Sequence, residues 1–214
     1  MSSESAGHWQ RIYQTRSATE LSWYEPVPQA SLDLIRATGL PVSAPIIDVG
    51  SGDSQLVDHL LASGYSDVTL LDIAPAALER TRARLGADAG QVDWIATDVT
   101  NFRPERRYAL WHDRAAFHFL VTPAERQKYL SVLTAGLAPN GHLILATFGP
   151  QGPARCSGLP IQRYSENDLG VLLDPSFQLR RQGLENHRTP MGRDQQFLWT
   201  WWQASSLATL NSTE

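Results

Sequence analysis

Cysteine is almost missing from this 214-residue chain, which carries only Cys156. One thiol excludes an intramolecular disulfide framework and any Cys cluster for zinc. A reducing, cytoplasmic setting and no metal site are therefore expected. Long apolar runs are missing too. None approaches the roughly 18 residues that a membrane-spanning helix needs, so no membrane partner is expected. Positive charge is not in excess: 18 Lys and Arg against 22 Asp and Glu give a net charge of −4. That balance, with a pI of about 5.8, speaks against a nucleic-acid protein held by phosphate contacts. The opening Met1-Ser2-Ser3-Glu4-Ser5 lacks a basic stretch leading into an apolar core, so no signal peptide is expected. Repeats and low-complexity linkers are absent. What remains, at 42% hydrophobic and 19% charged residues, is ordinary for a globular protein with one sizeable domain. Residues 1–214 are expected to form it, with 1–41 as an N-terminal helical and aromatic cap.

The most informative stretch present is Ile46-Ile47-Asp48-Val49-Gly50-Ser51-Gly52-Asp53-Ser54. It reads as a buried strand that breaks into a glycine turn. Leu56, Val57, Leu60 and Leu61 follow at helical spacing. Strand, glycine turn and helix together open a nucleotide-type site, where glycine lets the backbone approach a ligand closely.

Strand and helix then alternate. Helices are expected over residues 7–16, 30–37, 55–62, 75–85, 123–137 and 165–173. The last has Ser165 as N-cap and Asp168 in near capping-box position. Strands are expected over 46–49, 68–71, 92–96, 108–111 and 143–148. Residues 149–160, with three Pro and three Gly, read as a loop. Residues 177–183 and 196–202 have no helix between them and should pair antiparallel. The pattern implies an α/β fold with a mostly parallel sheet covered by helices on both faces, and excludes an all-helical sandwich. Ligands in such sheets sit at the carboxyl ends of the strands. Gly50, Asp72, Asp98 and His112-Asp113 should therefore line one cleft.

Asp72 lies 22 residues after Gly50, where a carboxylate can accept bonds from both ribose hydroxyls of an adenosine. It could equally cap the helix that starts at Pro75. Asp98 could accept from an adenine amine or close an Asx turn.

Four segments now match a known pattern in order: Asp48-Val49-Gly50-Ser51-Gly52, Leu71-Asp72-Ile73, Ala96-Thr97-Asp98-Val99, and Leu137-Ala138-Pro139-Asn140-Gly141-His142-Leu143. Over residues 42–150 the chain resembles the class I S-adenosylmethionine-dependent methyltransferases. Ser54 replaces the third glycine of the family's turn, and Asn140 replaces the first glycine of its strand-five turn. The resemblance implies a Rossmann-like seven-stranded sheet whose antiparallel last strand inserts between strands five and six. It implies S-adenosyl-L-methionine as donor, held by Asp48, Gly50, Ser51, Gly52, Asp72, Ile73, Asp98, Val99 and His112, with Trp9 and Trp23 as part of an aromatic lid. The segment Trp111-His112-Asp113-Arg114 is similar to one in the thiopurine and small-thiol branch.

Methyl transfer from a sulfonium is an in-line displacement, so the protein mainly aligns the nucleophile and excludes water. Asp113, His112 and His118 are the candidates to orient or deprotonate an acceptor. His118 could instead be a packing histidine between Phe117 and Phe119, and Asp113-Arg114 a structural ion pair. Trp199, Trp201 and Trp202 read as core, Arg80-Arg82-Arg84 as a solvated helix face, and Cys156 either as a contact to the acceptor or a soft metalloid or as a passive exposed thiol. The His187-Arg188-Thr189-Pro190 turn could line an acceptor pocket or cap the sheet. The expected function is methyl transfer to a small-molecule nucleophile, soft (sulfur, selenium or a metalloid) or a nitrogen or oxygen group, by a monomer or homodimer. Protein lysine or terminal-amine methylation is the enzymatic alternative, and a non-catalytic cofactor-binding partner the other.

Overall fold

Alternating apolar strands and amphipathic helices build a layered α/β structure in the computed structural model, which describes residues 3–173 and 175–206. The chain runs α1 Ser3–Thr15, α2 Gln29–Ala37, β1 Ile46–Val49, α3 Leu56–Ala62, β2 Val68–Asp72, α4 Pro75–Leu85, β3 Val92–Ala96, β4 Tyr108–Arg114, α5 Pro123–Gly136 and β5 Leu137–Phe148. A two-residue hairpin follows, β6 Arg155–Cys156 with β7 Leu159–Pro160, inside the segment that reads as loop in the sequence. Then come α6 Glu166–Leu173, β8 Phe177–Arg188 and β9 Asp194–Ala204.

Seven strands form one sheet in the order β3-β2-β1-β4-β5-β9-β8. The first five pair in parallel, and β9 runs antiparallel to both β5 and β8. This is the expected seven-stranded arrangement. Successive residues of a strand point to opposite faces, and both faces are covered. Ile47, Val49, Trp111, Leu143 and Leu145 pack with Tyr129 and Leu133 of α5 and Leu169 and Leu173 of α6. Ile46, Leu70, Leu110, Ile144 and Ala146 pack with residues of α2, α3 and α4. Each such aliphatic side chain, fully buried, contributes about 1.5–3 kcal/mol. A third apolar group ties the cap down. Trp9, Ile12 and Tyr13 of α1, with Leu21, cover Ala74, Ala76 and Ala77 at the start of α4.

Local signals set the element ends. Pro75 opens α4 from its first turn, as the fixed proline φ favours. Ser165 and Asp168 complete their reciprocal cap on α6. Asn140 takes φ 59° in the turn entering β5, a conformation asparagine tolerates. Five strands are longer than the sequence suggests, β2 by one residue, β9 by two at each end, and three others by more. β4 continues through His112, Asp113 and Arg114, β5 begins at Leu137, and β8 continues to Arg188. No helix among the described residues is long and apolar enough to cross a membrane.

Candidate active site

At the carboxyl end of β1, the centre of the sheet, Gly50 and Gly52 take φ of +66° and +56°. Side chains rarely adopt this region. An added Cβ at Gly50 would lie 2.5 Å from the Ala116 Cβ, and one at Gly52 would strike the Tyr13 hydroxyl. Both positions thus require glycine for conformation and for space. Arg84 of α4 braces the turn from outside by donating to the carbonyls of Asp53 (3.0 Å) and Ser54 (2.7 Å). Arg80 pairs with the Asp53 carboxylate at 3.1 Å, and Arg82 stacks over Trp94. Arg80 and Arg84 therefore brace the turn from a helix face on which Arg82 and Arg84 remain exposed, as expected.

Asp72 ends β2 and reaches back to the same turn. Its Oδ2 accepts the Gly52 N–H at 2.8 Å and its Oδ1 accepts the Ala74 N–H at 2.7 Å. Burial pushes its pKa up to about 6, against the pull of those two N–H groups. The carboxylate bonds the residue before α4, without capping the helix itself, and it lines a cavity.

That cavity lies at the carboxyl ends of the strands and is partly open to solvent. One end is lined by Asp48, Gly50, Ser51, Asp72, Ile73, Thr97 and Val99. The Ser51 Oγ is buried without a hydrogen-bond partner. The other end is lined by Arg114, Phe119, Phe148, Cys156, Gln195 and Phe197. Trp9, Tyr13 and Trp23 of the cap close over it, with Trp9 packed edge-on to Trp23 and Phe119 at ring-centroid separations of 5.7 and 5.0 Å. Glu25 fastens this cap. It pairs with Arg114 at 2.8 Å and His187 at 2.9 Å, while Arg114 donates to the Trp23 carbonyl and His187 bonds the Ser22 carbonyl. Burial alone would raise the Glu25 carboxyl, but His187 and Arg114 outweigh it and hold it below the usual range. Between the two ends lies a buried polar chain. Asp48 Oδ1 is 2.7 Å from His112 Nδ1, and His112 Nε2 is 3.0 Å from Ser31 Oγ.

Residues 46–141 match the family model described as a methyltransferase domain. Nodulation protein S of Rhizobium tropici is 27% identical over 142 residues, which are 66% of this chain and 58% of that protein. A solved S-adenosylmethionine-dependent methyltransferase of Anabaena variabilis superposes with a TM-score of 0.73 at 17% identity, over 95% of this chain and 96% of that one. The 1,6-didemethyltoxoflavin-N1-methyltransferase of Burkholderia thailandensis, solved with 1,6-didemethyltoxoflavin and S-adenosylhomocysteine bound, superposes at 0.67 with 21% identity, over 94% and 84%. Residues 46–141 of this chain thus match a methyltransferase domain, and the fold is that of S-adenosylmethionine-dependent methyltransferases. The chain spans less than two thirds of the nodulation protein's length.

Of the residues assigned to the donor from the methyltransferase resemblance, Asp48, Gly50, Ser51, Asp72, Ile73, Val99, His112, Trp9 and Trp23 line the cavity. Gly52 shapes the turn beneath Tyr13. Asp98 stands at its margin, between Thr97 and Val99, and its Oδ1 accepts from the Thr100 N–H and hydroxyl at 2.8 Å. It thereby forms the Asx-type cap that the sequence offered as its alternative role.

Asp113 and His118 need correction. Asp113 is fully buried on the opposite face of the sheet from His112, where its carboxylate accepts from the Ala116 and Phe117 N–H groups and from the Tyr129 hydroxyl. Burial, against those bonds, pushes its pKa up to about 6. It is not ion-paired with Arg114, which turns to Glu25. His118 is also fully buried. Its Nδ1 accepts the Phe148 N–H at 3.2 Å, and burial, with Arg114 nearby, pushes its pKa down to about 3. It is a neutral packing histidine between Phe119 and Phe148. Neither residue lines the cavity. Cys156 is not an exposed thiol: it is buried and lines the cavity, with its thiol pushed up to about 11 by burial. Trp199 and Trp202 are core, while Trp201 is half-buried.

Ser31, Phe148, Gln195 and Phe197 carry no local motif, and sequence reasoning missed them as site residues, whereas Arg114 belongs to the Trp111–Arg114 segment. Beyond that segment, only the two-residue alternation along β4 and β9 hinted at them. His112 and Arg114 share a face, as do Gln195, Phe197 and Trp199.

Proposed function

We propose that this chain transfers a methyl group from S-adenosyl-L-methionine to a small-molecule nucleophile. The observation that carries the reading is one cavity lined both by Asp72 and Ser51 and by aromatic side chains, Trp9, Trp23, Phe119, Phe148 and Phe197 among them. The polar end fits the donor. Asp72 faces the cavity with lone pairs to spare for ribose hydroxyls. Ser51 offers a buried hydroxyl that lacks a partner, and such groups are normally satisfied. The two glycines leave the backbone bare at the approach. Bound there, the donor supplies an electrophilic methyl on a sulfonium. Trp9, Tyr13 and Trp23 exclude water from the space beside it, and Phe119, Phe148 and Phe197 form an apolar wall that orients a flat or compact acceptor. A cavity roofed by side chains of the cap supports a small acceptor over a folded protein.

The test is transfer of labelled methyl groups by the purified chain to a metabolite panel and, separately, to lysine-bearing peptides. Labelled small products with unlabelled peptides are expected. Labelled peptides alone would overturn the acceptor class, and failure to bind S-adenosylhomocysteine would overturn the donor.

A further inference from the structure

His112 is a donor residue by resemblance and also a candidate to deprotonate an acceptor, and its surroundings support the second task. We propose that Asp48, His112 and Ser31 form a proton relay that removes the proton of an N–H or O–H acceptor, so that the substrates are protic nitrogen or oxygen nucleophiles. The inference rests on the methyl-transfer reading above.

The three residues come from β1, β4 and α2, and all line the cavity. They are 3%, 2% and 1% exposed. The direction of the hydrogen bonds follows from what each group can do. An ionised carboxylate only accepts, so His112 Nδ1 carries the hydrogen on the 2.7 Å bond to Asp48. The neutral ring then presents a bare Nε2, which accepts the Ser31 hydroxyl at 3.0 Å. The Ser31 oxygen keeps its lone pairs for a hydrogen arriving from the cavity. Around this chain the packing is apolar: Leu34 and Ile35 of α2, Ile46 of β1, and Leu110 and Ile144 beside them. Burying three polar groups in such a place costs free energy that an apolar tie between cap and sheet would not.

The step balances as follows. The acceptor's lone pair forms its bond to the methyl carbon as the sulfur–methyl bond breaks, and that bond's electron pair goes to sulfur. The acceptor's proton passes to Ser31 Oγ while the Ser31 proton passes to His112 Nε2. The resulting imidazolium lies against the Asp48 carboxylate and later returns its proton to solvent by the same path. A neutral hydroxyl becomes strongly acidic as it is methylated, and a neutral amine becomes far more acidic than before, so the relay acts where charge develops. A thiol already ionises near pH 8.5 and a tertiary amine has no proton to give, so neither gains from it.

The charged groups around the ring are Asp48 beside it, Asp72 next to Asp48, Asp113 along β4 and Arg114, two residues further on the same face. On α2, Asp33 and Arg36 pair with each other at the exposed surface. On β5, the facing residue is apolar Ile144.

The test uses the full chain with S-adenosylmethionine and four probes: catechol, benzimidazole, thiophenol and N,N-dimethylaniline. Products are read by mass spectrometry, and S-adenosylhomocysteine affinity by calorimetry. Catechol or benzimidazole is the expected substrate. His112→Gln and Ser31→Ala are expected to lower kcat about 10²–10⁴-fold with S-adenosylhomocysteine affinity unchanged within about twofold. The wild-type acid limb of kcat should be absent in His112→Gln. Retained kcat, or a loss matched by lost S-adenosylhomocysteine affinity, would mean a structural tie and overturn the relay. So would a preference for thiophenol or N,N-dimethylaniline. Nitrogen-15 NMR of His112 with S-adenosylhomocysteine bound decides without turnover: Nδ1 protonated and Nε2 bare at neutral pH is expected, and the opposite tautomer overturns the relay. Absence of S-adenosylhomocysteine binding by the wild type would instead sink the methyl-transfer reading on which it rests.

Discussion

Asp72 serves two partners at once, since the same carboxylate holds the Gly52 and Ala74 N–H groups and faces the cavity. If Asp72 holds the donor as proposed, its pKa of about 6 would make donor binding pH-dependent. The ionised form accepts hydroxyl donors and the protonated form does so less well. S-adenosylhomocysteine affinity is therefore expected to be flat above pH 7 and to fall as pH drops through 6, by up to about tenfold at pH 5. Calorimetric titrations at those pH values check this, and Asp72→Asn should flatten the dependence. The sign for folding is the reverse. A carboxyl whose folded pKa is raised contributes stability that is present below its unfolded pKa of 3.8 and lost as pH rises through about 6. Gly50 sets a second expectation. With φ +66° and a Cβ that would press on Ala116, Gly50→Ala should cost about 1–3 kcal/mol of stability in urea denaturation, and donor binding with it.

The cap, α1 through α2, is held to the sheet by the aromatic cluster and by Glu25. Removing the Glu25 charge leaves Arg114 and His187 without their carboxylate. Glu25→Gln should cost about 1–3 kcal/mol and raise amide hydrogen exchange across residues 17–28 while leaving β1 and β4 protected. Unchanged exchange there would show that the aromatic packing alone holds the cap. The wild-type pair contributes stability above the usual glutamate range and loses it as pH falls through the depressed Glu25 pKa.

Elements were legible in the sequence where punctuation was local. β1 ends at a glycine, α4 starts at Pro75 and α6 at the Ser165 cap, and all three match. β4 was read too short because His112, Asp113 and Arg114 interrupt its apolar run. Their polar groups are satisfied by Asp48, Tyr129 and Glu25, partners 64, 16 and 89 residues away. For the same reason the donor half of the site could be read from motifs, while Ser31 and Gln195 could not. The sheet order alone brings them together. Asp113 and His118 carried chemistry by residue type, but the alternation of β4 and the turn after it turn them into the core.

At the scale of the molecule, one ligand at the strand ends touches β1, β2, β4 and the cap together. A ligand that binds only the folded state adds about 2.7 kcal/mol at a hundred times its Kd. For a domain of this size that corresponds to roughly 5–10 °C in Tm, and saturating S-adenosylhomocysteine should produce it along with slower exchange in the cap. The most direct measurement is a calorimetric titration of the wild-type chain and Asp72→Ala with S-adenosylmethionine and with NAD. The expected result is one molecule of S-adenosylmethionine per chain, affinity weakened by about 1–3 kcal/mol in Asp72→Ala, and no NAD binding. Tight NAD binding without S-adenosylmethionine, or equal donor affinity in Asp72→Ala, would contradict the site described.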